Sequence, residues 1–507
     1  MSQLGTQILT GETPPATTNT NSTANAFFVG VADWGPSGAT GVNTSVNTLA
    51  QAAAVIGGPT GSGVQAARSA TNATLYDALD TYFREGGGTA YISRVLGAGS
   101  NAAATIALAP SAALTLTAQY QGVGGNGIFV SVVNGGSTAT ITLADVNGNV
   151  LAVSPVCTTL AQLVSWAATT GLVTAVSSGS TLPSTASATA MSGGSNGTTP
   201  TITQWTTAIN SFGSNLGPGQ ILAPGQTNTS LAGIWSALTT HASANNRWAI
   251  CDETDGASVA TVQSDISTAA LPTSLQQYGE CWAGNRLIPG IVPGTTRSVP
   301  PSAVIAGLCA RVDNTGNPNL PHAGQNFALS YATQPATIVS GSTDTYSLTD
   351  LGTLNSTGVN GFQTVGGVPQ AYGLASMELP GSDAIYWQAN HGRMRMALVA
   401  ALQAAAQPFV FSQADGQGSD ITEFNSALQG ALMPFYTAGA LYGANATDAF
   451  SVNTGPSVNT PTLLAAGQLS AQIAVRLSPG IQLVVVMLNA VPITQQLVQT
   501  ASPAQNQ

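Results

Sequence analysis

Ala26-Phe27-Phe28-Val29-Gly30-Val31-Ala32, ended by Trp34-Gly35-Pro36, is a short continuous apolar run stopped by turn residues, and it reads as a buried strand leading into a turn. Downstream, Leu75, Ala78, Leu79, Tyr82 and Phe83 recur at helical spacing behind the cap candidates Thr71 and Asn72, and the pattern stops at Gly86-Gly87-Gly88. Thr89-Ala90-Tyr91-Ile92-Ser93-Arg94-Val95 then supplies a second strand. Strand, helix, strand in this order predicts an α/β layer whose helix crosses over a parallel sheet.

The composition around this unit is unusual. Across 507 residues there is no lysine, and 10 arginines face 20 acids. Soluble monomers carry about a quarter of their residues as charges, whereas here the share is 6%. So little charge cannot coat a lone globule of this size, and the chain is expected to bury much of its surface against something else. A bilayer needs roughly 20 consecutive apolar residues, and the longest runs, Ile481 to Leu488 and Met396 to Ala406, are too short. Met1 to Thr20 has no basic residue and no apolar core, so it does not read as a secretory signal. Copies of the same protein are the expected partner. A net charge of -10 without clustered cations argues against nucleic acid. Cys157, Cys251, Cys281 and Cys309 are widely spaced and read as buried reduced thiols.

Further along, Leu114-Thr115-Leu116-Thr117, Gly127 to Val133 and Thr140-Ile141-Thr142-Leu143 are short strands with Gly and Asn turns, a β-rich module. Ser178 to Thr199 has little pattern and reads as a linker. The α/β rhythm then returns. Ile202 to Phe212, Leu231 to Ala242 and Ser258 to Ala269 are helical, alternating with strands at Gln220 to Pro224 and Trp248 to Asp252. From Tyr386 helices dominate: Trp387 to Ala406, then Asp420 to Gly443 opening on the pair Asp420 and Glu423 and kinked at Pro434. Ile473-Ala474-Val475 and Ile481 to Met487 are strand-like.

Catalytic signals are weak. Without lysine there is no phosphate-binding Walker loop, Schiff base or lysine base. Gly97-Ala98-Gly99-Ser100-Asn101-Ala102 mimics a dinucleotide loop but lacks the acid that should follow it, and reads as small-residue loop. Gly193-Gly194-Ser195-Asn196-Gly197 has the letters of a nucleophile elbow without the apolar strand before it, and reads as a turn. His241, His322 and His391 show no metal spacing. Asp252-Glu253-x-Asp255, at the end of a strand, reads as a solvated loop in preference to a metal site. No catalytic, cofactor or metal residue is assigned, and no enzyme activity is expected.

Several segments together resemble the tail sheath proteins of contractile phage tails. Ala26 to Gly30 with Trp34-Gly35-Pro36, and Tyr82-Phe83-Arg84-Glu85-Gly86-Gly87 leading to Tyr91-Ile92-Ser93-Arg94-Val95, are similar to the opening patterns of that family. Ala118, Gly122, Gly125 and Asn126 resemble the start of its β-sandwich insertion, and Met191 to Gly197 the start of its subtilisin-like domain. Val299-Pro300-Pro301-Ser302-Ala303-Val304-Ile305-Ala306-Gly307-Leu308-Cys309-Ala310-Arg311-Val312-Asp313 is the most specific match, joined by Leu354-Asn355, Gly358-Val359-Asn360 and Gly439 to Gly443.

The resemblance implies an α/β multidomain protein: N-terminal arm 1–20, N-terminal α/β part 21–112, β-sandwich insertion 113–190, subtilisin-like α/β domain 191–385, largely helical α+β C-terminal domain 386–488 and C-terminal arm 489–507. It implies a helical contractile sleeve of identical subunits around a tail tube, with baseplate and tail terminator proteins as further partners, no cofactor, and a place in the virion after assembly in the host cytoplasm. Contraction would drive the tube through the host envelope. The arms would lace neighbours together by strand addition, with Leu4, Gln7, Ile8 and Leu9 at one end and Val491, Ile493 and Leu497 at the other. Arg393, Arg395 and Arg476 are expected to face the tube. The sheath of a phage-derived extracellular injection system is the nearer alternative; a serine hydrolase and a capsid or adhesin protein are distant ones.

Overall fold

The computed structural model describes residues 23–485 apart from 38–44, 58–67, 100, 111, 340–341, 343, 382–384 and 414–415. β1 (Ala26–Val31) and β2 (Ala90–Val95) pair in parallel from Ala26↔Ala90 to Val31↔Val95, and the helix Ala73–Glu85 lies between them in the chain. Gly86 ends that helix at φ +126, a conformation that favours glycine. Asn72 sits at its N-cap, but the side chain turns back, accepting from the Ser69 N–H and donating to the Ile56 carbonyl.

The chain then leaves the sheet for a module of seven strands: β3 (Ala103–Leu108), β4 (Leu114–Gln121), β5 (Phe129–Asn134), β6 (Ala139–Ala144), β7 (Val150–Val153), β8 (Val173–Ser177) and β9 (Ala186–Ala190). They form two antiparallel sheets, β3-β4-β8 and β7-β6-β5-β9, which share one hydrophobic core with the helix Leu160–Thr169. Period-two alternation fixes which side is inside: Ala139, Ile141 and Leu143 are buried while Thr140, Thr142 and Ala144 are half-buried. Two expectations change here. β3 pairs with β4, so a division at residue 112 cuts a hairpin. The stretch read as a linker contains β9, whose Ala-Ser-Ala-Thr-Ala sequence has no large apolar residue and gains its place by pairing with β5.

On its return the chain adds β10 (Gly219–Leu222) to β1 on the side opposite β2, then β11 (Arg247–Asp252) and β12 (Gly279–Trp282), all parallel. β13 (Arg286–Pro289), β14 (Thr296–Val299) and β15 (Gln334–Pro335) make a small antiparallel sheet. β16 (Val359–Val365) continues the parallel sheet and β17 (Val368–Tyr372) closes its edge in the antiparallel sense, giving the order β17-β16-β12-β11-β10-β1-β2. Ala26 and Phe28 pack with the helices Leu49–Ile56, Ala73–Glu85 and Pro301–Asp313. Phe27 and Val29 pack with Ile202–Asn210, Ile234–Ala244 and Leu348–Asn355 on the opposite face. Helices therefore cover both faces, which is why β1 reads as a continuous apolar run instead of an alternating one.

The C-terminal part packs the helix Ala389–Ala406 against Ser419–Thr437 and a two-stranded sheet of β18 (Phe450–Asn453) and β19 (Gln472–Val475). Ser419–Thr437 starts behind Gly418 at φ +83, with Asp420 inside its first turn, so the expected Asp420 and Glu423 capping pair is replaced by a glycine entry. It runs through Pro434 and ends at Thr437, six residues short of the expected Gly443. Over 481–485 the second strand-like run has no strand partner among the described residues.

Pro301–Asp313 is buried all round except at Arg311 and crosses Ala73–Glu85 closely. A Cβ on Gly307 would lie 2.7 Å from the Glu85 Cβ and 3.0 Å from the Tyr82 carbonyl oxygen. Alanine favours a helix over glycine by about 1 kcal/mol, but overpacking against backbone costs about 1–3 kcal/mol, and the clash wins. Gly307→Ala is expected to lower the urea unfolding midpoint; a raised midpoint would show that helix propensity governs this position.

Candidate functional site

The charged side chains are concentrated inside. Among the described residues, five of the ten arginines and nine acids are buried. Arg94, at the end of β2, donates through Nε to the Ala32 carbonyl, through Nη1 to those of Gly35 and Gln121, and through Nη2 to the Asn196 Oδ1 at 3.1 Å. It joins the turn after β1, the end of β4 and the returning chain. Burial lowers its pKa to about 10, leaving it cationic at neutral pH. Glu85 is enclosed by the 330–332 segment, accepting from three backbone N–H groups and the Ser330 hydroxyl. Arg247 lies over the Phe27 ring at 3.8 Å and donates to the carbonyls of Phe212, Gly213 and Gly217. Its neighbour His241 is held down to about 3 by burial and the Arg247 charge, so it stays neutral.

The weak catalytic signals resolve into packing. A Cβ on Gly97 would sit 1.7 Å from the Thr198 carbonyl oxygen, so the dinucleotide-like loop is filled by the returning chain. Ser195 is bridged to Ala102 in extended backbone, and its hydroxyl accepts from the Gly197 N–H. The solvated-loop reading of Asp252 and Glu253 is corrected: both are almost fully buried. Asp252 accepts from the Ser302 N–H and hydroxyl and from the Gly225 N–H, holding the first turn of Pro301–Asp313 onto the end of β11.

Glu280, Cys309 and His322 bring donor atoms within 4.8 Å of one another. Their bonding capacity is already engaged: Glu280 accepts from the Trp248 indole N–H and lies 3.0 Å from His322 Nε2, and Arg393 approaches His322 Nδ1 at 3.1 Å. Burial pushes the Cys309 thiol up, so it remains protonated, and a guanidinium stands beside the trio. This arrangement is a hydrogen-bond network and a poor cation site.

The arm residues Leu4, Gln7, Ile8, Leu9, Val491, Ile493 and Leu497 lie outside the described residues. The tube-facing expectation is corrected for two arginines. Arg393 is fully buried and paired with Asp313. Arg395 is buried between the Tyr278 and Tyr386 rings and donates to the Gln277 side chain and carbonyl. Arg476 is exposed and has no acid partner among the described residues. Sequence reasoning missed Arg94, Glu85, Glu280 and Asp313. The signal was available: a lone charge within an apolar run of a charge-poor chain is placed there to be buried. Removing one partner of a buried pair costs about 3–5 kcal/mol, so Arg393→Ala is expected to destabilise the subunit by that amount while Arg476→Ala leaves the unfolding midpoint unchanged; equal midpoints for the two variants would refute the assignment.

Among the described residues no helix is long and apolar enough to cross a membrane. No sequence family matches the chain, and no curated protein does. Solved structures match over most of its length. The sheath tail protein Lin1278 from Listeria innocua superposes at a TM-score of 0.61 with 12% identity, covering 87% of this chain and 90% of that one. A chain of the anti-feeding prophage baseplate reaches 0.56 with 15% identity over 97% and 100%. One from the anti-feeding prophage helical sheath in the contracted state reaches 0.53 with 15% identity over 96% and 99%. The chain therefore has the fold of the contractile tail sheath proteins.

Proposed function

We propose that this chain is the subunit of a contractile sheath, in which identical copies polymerise helically around a tube and shorten to drive it through an envelope. The observation that carries the reading is likeness running over almost the whole of both chains, including one from a contracted helical sheath. The charge distribution supports it. Between Arg94 and Arg247 the chain holds one charged residue, Asp145, and that one is buried in a turn, accepting from the N–H groups of Asn147 and Asn149. Val133, Val150, Val153, Val156 and Val176 stand exposed on the inserted module. Surfaces of this kind suit contact with copies better than permanent contact with water.

In this reading the doubly covered sheet is the subtilisin-like core, the seven-stranded module the inserted sandwich, and 386–488 the tube-proximal part with Arg476 its exposed cation. Residues 1–20 and 489–507 serve as arms. β18 and β19 form a sheet of only two strands among the described residues, and the Asn425 amide already donates to the Val452 carbonyl on the β18 side, so the outer edge of β19 is the one we assign to strand addition. A non-closing contact between copies generates a helix, and subunits in series amplify a bias of about a few kcal/mol each into a decisive preference for the short state. The role is structural and non-enzymatic, in a phage tail assembled in the host cytoplasm, with baseplate, tube and terminator proteins as neighbours. The match to injection-system particles favours one second reading, a sheath from such a system; flanking capsid or terminase genes decide between them.

Purified full-length protein is expected to form hollow cylinders in negative-stain micrographs, and a variant lacking Met1 to Thr20 to stay folded yet fail to do so. A monodisperse subunit at every concentration would overturn the sheath reading, and normal cylinders from the truncated variant would overturn the role of the arm.

A further inference from the structure

Beside Asp252, the end of β11 delivers a second carboxylate that none of the packing above accounts for. Glu253 is 1% exposed, its N–H donates to the Trp282 carbonyl, and its Oε1 accepts from the Thr254 N–H at 2.7 Å. Its Oε2 is sealed from solvent with no donor. On the helix Val259–Ala269, Asp265 holds Oδ2 in the same condition. Asp265 and the Thr254 hydroxyl are the side chains that reach the Glu253 carboxyl, and Thr254 also donates to the Thr227 hydroxyl at 3.4 Å. Two ionised carboxylates in that position repel, whereas one proton between them makes a strong O–H···O⁻ bond.

The surrounding groups offer no relief. The titratable groups that sense Glu253 or its immediate neighbours are Asp252, Asp255, Cys281, Tyr346 and Asp350; burial keeps the Cys281 thiol and the Tyr346 phenol protonated, and none of the five is a cation. Each oxygen-bearing one is committed elsewhere: Asp252 to Ser302, Asp255 to the Asn285 N–H and Thr337 hydroxyl, Tyr346 to the Ala257 carbonyl, and Asp350 to Ser347. The described residues bring no third imidazole, thiol or carboxylate into ligand range of the pair. A hard divalent cation, which takes about six to eight oxygens, would find two.

We infer that Glu253 and Asp265 share a single proton, which latches the helix Val259–Ala269 to the end of β11, and that this latch weakens as acid conditions give way to neutral ones. Burial first, then the Asp265 charge, push Glu253 up to about 7 from its ordinary 4.5. An acid raised in the folded state binds its proton more tightly there than in the opened segment. The latch is therefore complete below about 4.5, is lost progressively as pH climbs to about 7, and changes no further above that.

Hydrogen exchange of the full chain as dispersed subunit, corrected for the intrinsic pH dependence of amide chemistry, tests this on 259–269 without depending on cylinder formation. Opening of that helix is expected to rise about tenfold per pH unit between roughly 5 and 7 and then level off. Glu253→Gln and Asp265→Asn each leave one N–H to donate to the remaining carboxylate, and both are expected to abolish the rise. Wild-type protection that does not change with pH, or a Glu253→Gln variant that still shows the rise, overturns the inference. So does calcium chloride restoring protection at pH 8, because the occupant would then be a divalent cation.

Discussion

The structure depends on a reversal of the usual placement of charge. With 30 charged residues in 507, the chain places much of that charge in its interior, where each ion is held by backbone carbonyls, backbone N–H groups or an opposite partner. Buried pairs add little net stability compared with apolar packing, but removing one partner is costly, so each constrains which segments meet. Arg94 is the clearest case. Four contacts from one guanidinium fix the turn after β1, the edge of the inserted module and the returning chain in one arrangement, and no apolar side chain has the directionality to do the same. Asp252 ties Pro301–Asp313 to the end of β11, Glu85 ties the 330–332 segment to the helix Ala73–Glu85, and the pair Arg393 and Asp313 ties the C-terminal helix to Pro301–Asp313.

How much of this is legible before folding follows from where the signal sits. β1, its crossover helix and β2 announce themselves because a strand covered on both faces needs an unbroken apolar run, and the helix needs its stripe and glycine stop. β9 is silent because its five small residues carry no pattern and its position comes from pairing. The glycine entry of Ser419–Thr437 is likewise invisible to a search for acidic caps, since Gly418 acts through φ alone. The three arginines near the C-terminal end look alike in sequence. Arg393 and Arg395 lie on a helix that is buried on nearly every side, a fact set by the β11, β12 and 273–278 surfaces it meets. No local window contains those surfaces. Glu253 shows the same limit: its orphaned oxygen depends on Asp265, twelve residues away on another element.

In the sheath proposed above, an interior of this kind would have a mechanical meaning. Charge networks that span the sheet, the inserted module and the C-terminal helices make the subunit resist internal shear, because any relative displacement of segments exposes an unpaired ion to a low-dielectric interior. On that proposal, displacement would be channelled to the contacts between copies, the behaviour expected of near-rigid bodies repacking at their interfaces.

The exposed valines and missing charges of the inserted module bear on how such contacts slide. A face without ionic groups gathers no counterion cloud, so two such faces moving past each other have no ion atmosphere to strip and rebuild, and no fixed charge lattice to impose preferred stopping points. Friction at such a seam comes from side-chain interdigitation and water release, and the ease of sliding follows temperature and the size of the apolar steps with no contribution from electrostatic screening.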